Sequence, residues 1–299
     1  MQKYIDINSI ADIHKFYKYD KPQHPLITII DLTKANPDRP KEEVYYRTPL
    51  YSVMCKRFEG SMKYGKSHYD FEEGTLMFTA PHQVISSSPD IRVLEGWGLF
   101  FHPDLLHASE LGRKIHEYNF FHYDVNEALH ISDTEKSTLL DCLQKIENEY
   151  SQNFDRHTQG LILDNLQLML NYCTRFYGRQ FLTRAKVNHD IVQKFERLLS
   201  DYFATDTLIE TGLPDVKHFA SQLRLSPDYL SDLLSKYTGK TTLEHIHLQL
   251  IDKAKSLLLG SQRSISEIAY DLGFGHPSHF TKIFKSKTGM SPRDFRSMN

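Results

Sequence analysis

A duplicated pattern in the last third of the chain restricts the fold more than any other feature of the sequence. The segments 217–241 and 266–291 carry the same residue types in the same order, with one residue inserted at a turn. The matched positions are Ala220 and Ala269, Leu223 and Leu272, Pro227 and Pro277, Leu230 and Phe280, Leu234 and Phe284, and the pairs Thr238-Gly239 and Thr288-Gly289. The joint repetition indicates one supersecondary unit that is present twice.

Each copy predicts two short helices joined by a tight turn. An alanine in the first helix lets a second helix cross closely, and a proline then begins the second helix, where no intrahelical N–H bond is lost. In the segment GFGHPSHF, 273–280, two glycines supply the turn before Pro277. The Thr-Gly pair ends the second helix because glycine readily adopts the left-handed conformation there. We therefore predict helix-turn-helix motifs over about 217–238 and 266–288.

The segment 242–259 between the two copies predicts one continuous helix. At about 1.5 Å per residue it would be roughly 27 Å long, while successive major grooves on one face of B-DNA lie about 34 Å apart. Such a linker can hold two recognition helices near adjacent grooves. The alternative, a duplicated helical hairpin that does not bind DNA, requires the shared pattern to be coincidental.

The two copies resemble the DNA-binding domain of the AraC/XylS family of bacterial transcription regulators, over about residues 187–299. The residues that carry the resemblance are Ile268-Ala269, Leu272-Gly273-Phe274, Phe280, Phe284-Lys285, Thr288-Gly289, Ser291-Pro292 and Phe295-Arg296, with SPDYLSDLL and YTGK in the first copy and AKSLL in the linker. The resemblance implies a cupin-like β-barrel with a helical dimerisation region over 1–183 and an all-α domain with both motifs over 184–299. It also implies four partners, namely double-stranded DNA, a small-molecule effector, a second copy of the chain and RNA polymerase.

By the same resemblance, the second helix of each copy presents its side chains to DNA. The base-reading positions correspond to Ser278, Thr281 and Lys282 in the second copy and to Asp228, Ser231 and Asp232 in the first. Lys285, Lys287, Arg293 and Arg296 make the end of the second copy basic and suited to phosphate contacts, and Lys236 is the one basic residue in the second helix of the first copy. Aspartate accepts a hydrogen bond from cytosine but repels phosphate, so the first copy either reads bases with acidic residues or binds weakly. Leu250 stands where many family members carry an arginine, so that linker contact with DNA is not expected.

Residues 20 to 102 predict short strands, because runs rich in β-branched and aromatic residues alternate with Pro, Gly, Asn and Asp. If the family resemblance extends to this region, the strands form the effector-binding barrel. The aromatic residues Tyr69, Phe78 and Trp97 are then candidates for stacking against the effector, and the alternative is that they are plain core.

A metal enzyme of the cupin type is the rival interpretation of this region. The histidines His24, His68, His82 and His102 form no HxH pair, and the HxH at 245–247 lies in the predicted linker helix. Side chains two residues apart on a helix point in different directions, so these two histidines cannot easily share a metal ion. No HExxH, GxSxG or P-loop motif is present. The sequence therefore predicts no metal, no cofactor, no catalytic residue and no enzymatic activity.

A stripe of apolar side chains with 4-3-4-3 spacing runs through residues 157–177. It consists of Ile162, Leu166, Met169, Cys173 and Phe176. The stripe predicts a helix with a broad apolar face, which either packs inside its own domain or forms the seam of a homodimer. Two heptads leave both alternatives open.

Charge and cysteine content agree with a cytoplasmic regulator. The net charge is −2, but residues from 184 onward carry 16 basic and 13 acidic side chains, which weakly favours polyanion binding there. Three separated cysteines fit a reducing compartment, and neither a signal peptide nor a membrane span is predicted. The runner-up interpretation is a DNA-binding regulator that needs no effector and whose barrel only dimerises.

Overall fold

The computed structural model describes residues 3–35, 44–59, 74–87, 92–204 and 208–298. The chain divides into two compact units, Met1–Arg184 and Ala185–Asn299. The strands all lie in the first unit and are β1 (Lys3–Asp6), β2 (Ile27–Asp31), β3 (Val44–Arg47), β4 (Tyr51–Glu59), β5 (Gly74–Thr79), β6 (Val84–Ser87), β7 (Arg92–Phe101) and β8 (Leu129–Ile131). Its helices are α1 (Ile10–Tyr17), α2 (Glu110–Lys114), α3 (Asp133–Ser151) and α4 (Thr158–Thr183), with short 3-10 turns between α2 and β8.

The described strands form two separate sheets. A three-stranded sheet has the order β1-β3-β6, in which β1 and β3 are parallel, and a five-stranded antiparallel sheet has the order β2-β7-β4-β5-β8. No strand pairing joins the two sheets within the described residues. The predicted strand-rich segment is confirmed, whereas the described strands do not close into one barrel.

The five-stranded sheet is covered on both faces. On its inner face, which we define as the side toward α1 and the three-stranded sheet, Ile30, Met54 and Phe100 pack with Ile10 and Ile13 of α1. The opposite side is the helix-covered face, because the side chains of a strand alternate between the two faces of a sheet.

Phe78 shows how the helix-covered face is closed. Its ring lies 4.4 Å from the Phe120 ring centroid, 5.7 Å from that of Phe121 and 6.0 Å from that of Tyr177 on α4. Ring pairs at such separations stabilise a core beyond the area that they bury. This face is therefore a packed aromatic core between the sheet and the helices that follow it.

The helices over this face begin and pack as the sequence requires. Ser132 and Glu135 form a capping box at the start of α3, and α3 packs against α4. The five stripe residues of α4 are buried inside the unit, with 0 % exposure for four of them and 7 % for the fifth: Ile162, Leu166, Met169, Cys173 and Phe176. A subunit seam would need these side chains on the surface, so the structure assigns the stripe to packing within its own unit instead.

The second unit contains only helices in its described residues. They are α5 (Ala185–Ala204), α6 (Leu208–Thr211), α7 (Val216–Leu223), α8 (Pro227–Thr238), α9 (Thr242–Gly260), α10 (Ile265–Asp271), α11 (Pro277–Thr288) and α12 (Pro292–Met298). The prolines begin α8 and α11, and Gly239 and Gly289 end them with φ of 74° and 81°. Both helix-turn-helix motifs and the continuous linker helix are confirmed.

None of the helices in the described ranges is long and apolar enough to cross a membrane.

Candidate nucleic-acid interface

The helix α11 is fixed by aromatic side chains on one side. Phe280 and Phe284 are fully buried, and their ring centroids lie 5.7 Å apart. Phe274, from the turn before α11, lies 5.5 Å from Phe280, and Phe295 of α12 lies 5.6 Å from Phe284. Because these rings occupy the inner side, the rest of the helix faces away from the core.

The outer side of α11 carries most of the predicted contact residues of the second copy. Ser278, Lys282 and Lys285 are exposed, and Lys282 makes no ion pair within the described part of the chain. Thr281 is partly buried, and its hydroxyl donates a hydrogen bond to the carbonyl of Pro277 at 3.1 Å. These side chains offer an ammonium group and hydroxyl groups that suit base edges and phosphates.

The corresponding positions of α8 are more enclosed. Asp228, Ser231 and Asp232 are all partly buried, and the Ser231 hydroxyl donates to Thr242 Oγ1 of α9 at 3.1 Å. A side chain held in this way is not presented freely to a base edge. Lys236, one turn further along, is exposed.

Two arginines near the C-terminus behave differently. Arg293 is exposed, but Arg296 is partly buried and its Nε donates to the carbonyl of Leu258 at 3.1 Å. This bond satisfies one of the carbonyls that the end of α9 leaves without an intrahelical partner. The Nε of Arg296 is therefore engaged inside the domain, and the role of Arg296 as a phosphate contact stays a prediction. Leu250 is fully buried, which fits the absence of an arginine contact from α9.

A histidine pair that the sequence reasoning missed lies beside the second motif. Burial lowers the pKa of His247 on α9, and the nearby charges of Lys287 and His279 lower it further. The helices α9 and α11 pack against each other, which brings His247 near these charges. In the sequence, His245 and His247 suggest only a metal-binding pair, and no pattern singles out the exposed His279.

Of the predicted effector-binding aromatics, Phe78 and Trp97 lie in the described part of the chain, and neither is on an open surface. Phe78 belongs to the aromatic core of the helix-covered face, and Trp97, which is 6 % exposed, points to the same face by strand alternation. Tyr69 and His68 lie outside the described residues. Within the described ranges, no group of three or more His, Cys, Asp or Glu side chains is arranged to hold a metal ion.

A family model described as a helix-turn-helix domain matches residues 219–298. The chain is 33 % identical over 119 residues to the HTH-type transcriptional activator RhaS of Salmonella newport (strain SL254), and to RhaS of Salmonella enteritidis PT4 (strain P125109). The match covers 40 % of this chain and 40 % of RhaS in both cases.

Three solved structures are also similar to part of the chain. The C-terminal domain of AraT, a response regulator from Geobacillus stearothermophilus, is 26 % identical, with 36 % of this chain and 85 % of that one covered and a TM-score of 0.32. The xylose-binding transcription activator XylR is 26 % identical, covering 33 % and 25 %, with a TM-score of 0.28. The DNA-binding domain of AdpA in complex with a target DNA is 26 % identical, covering 33 % and 90 %, with a TM-score of 0.28.

Proposed function

Starting from a C-terminal unit that belongs to the AraC/XylS family of helix-turn-helix regulators, we propose that the protein is a sequence-specific DNA-binding transcription regulator that responds to a small-molecule effector. The observation that carries this proposal is the pair of helix-turn-helix motifs joined by the single helix α9. Two recognition helices on one connected body can reach two successive major grooves, because those grooves recur every helical turn of DNA.

The second motif supplies most of the affinity in this proposal. Its outer side carries exposed Lys282 and Lys285, whereas the first motif presents Asp228 and Asp232 and holds Ser231 against α9. Lysine contacts with phosphate release counterions and dominate affinity, while carboxylates near phosphate oppose it. The first motif then contributes mainly discrimination between sequences, with aspartate accepting from cytosine N4.

The N-terminal unit has the regulatory role in this proposal. We assign it effector binding of the cupin-like type and contact with a second copy, although the surface between copies is not the buried stripe of α4. An effector acts by binding one arrangement of the DNA-binding domains better than the other. Because RhaS is named an activator, we propose that bound protein also contacts RNA polymerase in the cytoplasm. A regulator without an effector is the alternative.

The full chain is used to select the DNA that it binds from a random pool, and its affinity for the selected sequence is then measured. We expect Lys282→Ala to weaken binding to the selected sequence and to reduce the salt slope by about one, because one ammonium group fewer then displaces counterions from the DNA. Asp232→Ala should not reduce the salt slope, and it should narrow the difference in affinity between the selected sequence and random DNA. The matched control is Lys194→Ala, which removes an exposed lysine of α5.

Two results would contradict this assignment. If the random pool yields no enriched sequence, the protein is not a sequence-specific regulator. If Lys282→Ala and Lys194→Ala have the same affinity and salt slope as the unchanged protein, the second motif does not contact DNA through α11. A stoichiometric amount of iron or zinc in the purified protein would instead favour the enzyme interpretation.

A further inference from the structure

We propose that the inner face of the five-stranded sheet binds the carboxylate of a small organic acid at Lys56, with the apolar part of the acid against Met54 and Phe100. This inference rests on the effector-responsive function proposed above and names the chemical class of the effector. Three observations carry it: a row of polar side chains across the sheet, an apolar wall beside that row, and an ammonium group that has no partner among the described residues.

The polar row, as we name it, consists of Lys56, Thr75 and His130. Lys56 on β4 is in register with Thr75 on β5, and Thr75 is in register with His130 on β8. The Thr75 hydroxyl lies 3.5 Å from His130 Nδ1, and both residues are buried. Side chains that are in register on neighbouring strands point to the same face, so the three side chains form one line.

The next positions on this face of β4 and β5 are apolar. Met54 lies two residues before Lys56 and is in register with Met77 on one side and Gly98 on the other. The Phe100 ring lies over Gly98, because a Cβ placed there would be 2.8 Å from a ring carbon. Two methionines and a phenylalanine therefore stand beside the polar row. A mostly apolar wall with a few directed polar groups is the usual make-up of a small-molecule site.

The strand opposite Lys56 carries no side chain at the paired position. Lys56 is in register with Gly96 of β7, which has a φ of 140°. A Cβ on Gly96 would lie 1.9 Å from the carbonyl oxygen of Cys55, so no other residue fits this backbone. The inner face next to the Lys56 stem is thus kept free of a β7 side chain.

The Lys56 ammonium is partly buried and makes no hydrogen bond or ion pair in the described ranges. Burial lowers its pKa to about 8, and no charged neighbour contributes to this shift. A buried charge without a partner is costly unless an opposite charge offsets it.

A monoanion fits this arrangement better than a phosphate ester or a neutral sugar. One ammonium and the Thr75 hydroxyl match the charge and the two acceptors of a carboxylate. Phosphates are commonly held by several donors, by arginine forks or by helix N-termini, and none of these faces the polar row in the described residues. A sugar would find too few polar groups along the methionine and phenylalanine wall.

Binding of phenylacetate and octanoate to the purified full chain, without DNA, tests the site by isothermal titration calorimetry. Phenylacetamide and octanamide serve as uncharged counterparts. We expect at least one acid to bind roughly tenfold or more tightly than its amide, and Lys56→Met to remove this difference, because the variant keeps the stem and loses the charge. Lys136→Met, on the helix-covered side, is the matched control.

Reductive methylation of the unchanged protein gives a second readout that does not depend on the folding of a variant. The bound acid, but not the amide, should slow methylation of Lys56 several-fold and leave that of Lys136 unchanged, as measured by peptide mass spectrometry. The inference is overturned if neither acid binds more tightly than its amide and neither protects Lys56. If an acid binds at Lys56 but leaves affinity for the selected DNA unchanged, the site stands and its regulatory role fails.

Discussion

The turn before α11 offers a sharp test of how the second motif is held. Gly273 has a φ of 83°, and a Cβ there would lie 2.7 Å from the carbonyl oxygen of Leu208 and 2.9 Å from the carbonyl carbon of Gly212. Both contacts are with backbone atoms, one in the first residue of α6 and one in the residue that follows α6, and backbone atoms cannot rotate away as a side chain can. Gly273→Ala must therefore move either α6 or the turn that sets the direction of α11.

The size of the effect follows from two contributions. The left-handed conformation costs a non-glycine residue about 1–2 kcal/mol, and a forced backbone shift in a packed region costs about 1–3 kcal/mol. Gly273→Ala should thus destabilise the second unit by about 2–5 kcal/mol. Gly239→Ala is the matched control, since Gly239 has a φ of 74° and nothing within 4 Å of a Cβ. That variant should lose only the conformational cost of about 1–2 kcal/mol.

The free energy of unfolding of the two variants is measured in urea, with the helical circular dichroism signal as the probe. Their affinity for the selected DNA shows whether α11 has moved. We expect Gly273→Ala to lose more stability and more DNA affinity than Gly239→Ala. Equal losses in the two variants would refute the reasoning, because they would mean that α6 does not pack tightly against the turn.

Three further predictions concern the core and the protonation of single side chains. Phe284→Ala should destabilise the second unit by about 3–5 kcal/mol in urea unfolding, while Leu259→Ala, at a 53 % exposed position, should change little. Burial raises the pKa of Cys55 to about 11 and also raises the pKa of Cys173, so neither thiol should react with Ellman's reagent at pH 8 until the protein unfolds. Burial lowers the pKa of His245, so the unfolded chain binds a proton first and stability should fall as the pH drops below about 6.5, less so in His245→Gln.

The helix boundaries of the second unit could be predicted because their causes are local. A proline favours the first position of a helix and a glycine the position past its end, so Pro277 and Gly289 mark the ends of α11 whatever surrounds them. The duplication shows that the pattern is not accidental. The linker helix was predicted to end at residue 259 and ends at Gly260, an error of the size expected for helix ends.

The positions of the candidate contact residues along the helices could be predicted from the sequence, but their exposure to solvent could not. Lys282 and Lys285 are on the surface of α11, whereas Arg296 donates to the end of α9 and Ser231 to its start. A basic or polar residue at the right spacing carries no information about a carbonyl or hydroxyl that lies far away in sequence. Only the packing of α9 against the two motifs decides which of these groups remain available to DNA.

By itself, the sequence determined that the chain ends in two helix-turn-helix motifs, because their turns and helix ends depend on neighbouring residues. The tertiary structure decided that the stripe through Leu166 and Met169 faces its own core, that Phe78 and Trp97 belong to the helix-covered face, and that Lys56 lies on the inner face. Which partner covers an apolar stripe, and which face of a sheet a strand presents, depend on strand pairing and helix packing between residues distant in the chain. Spacing alone does not contain that information.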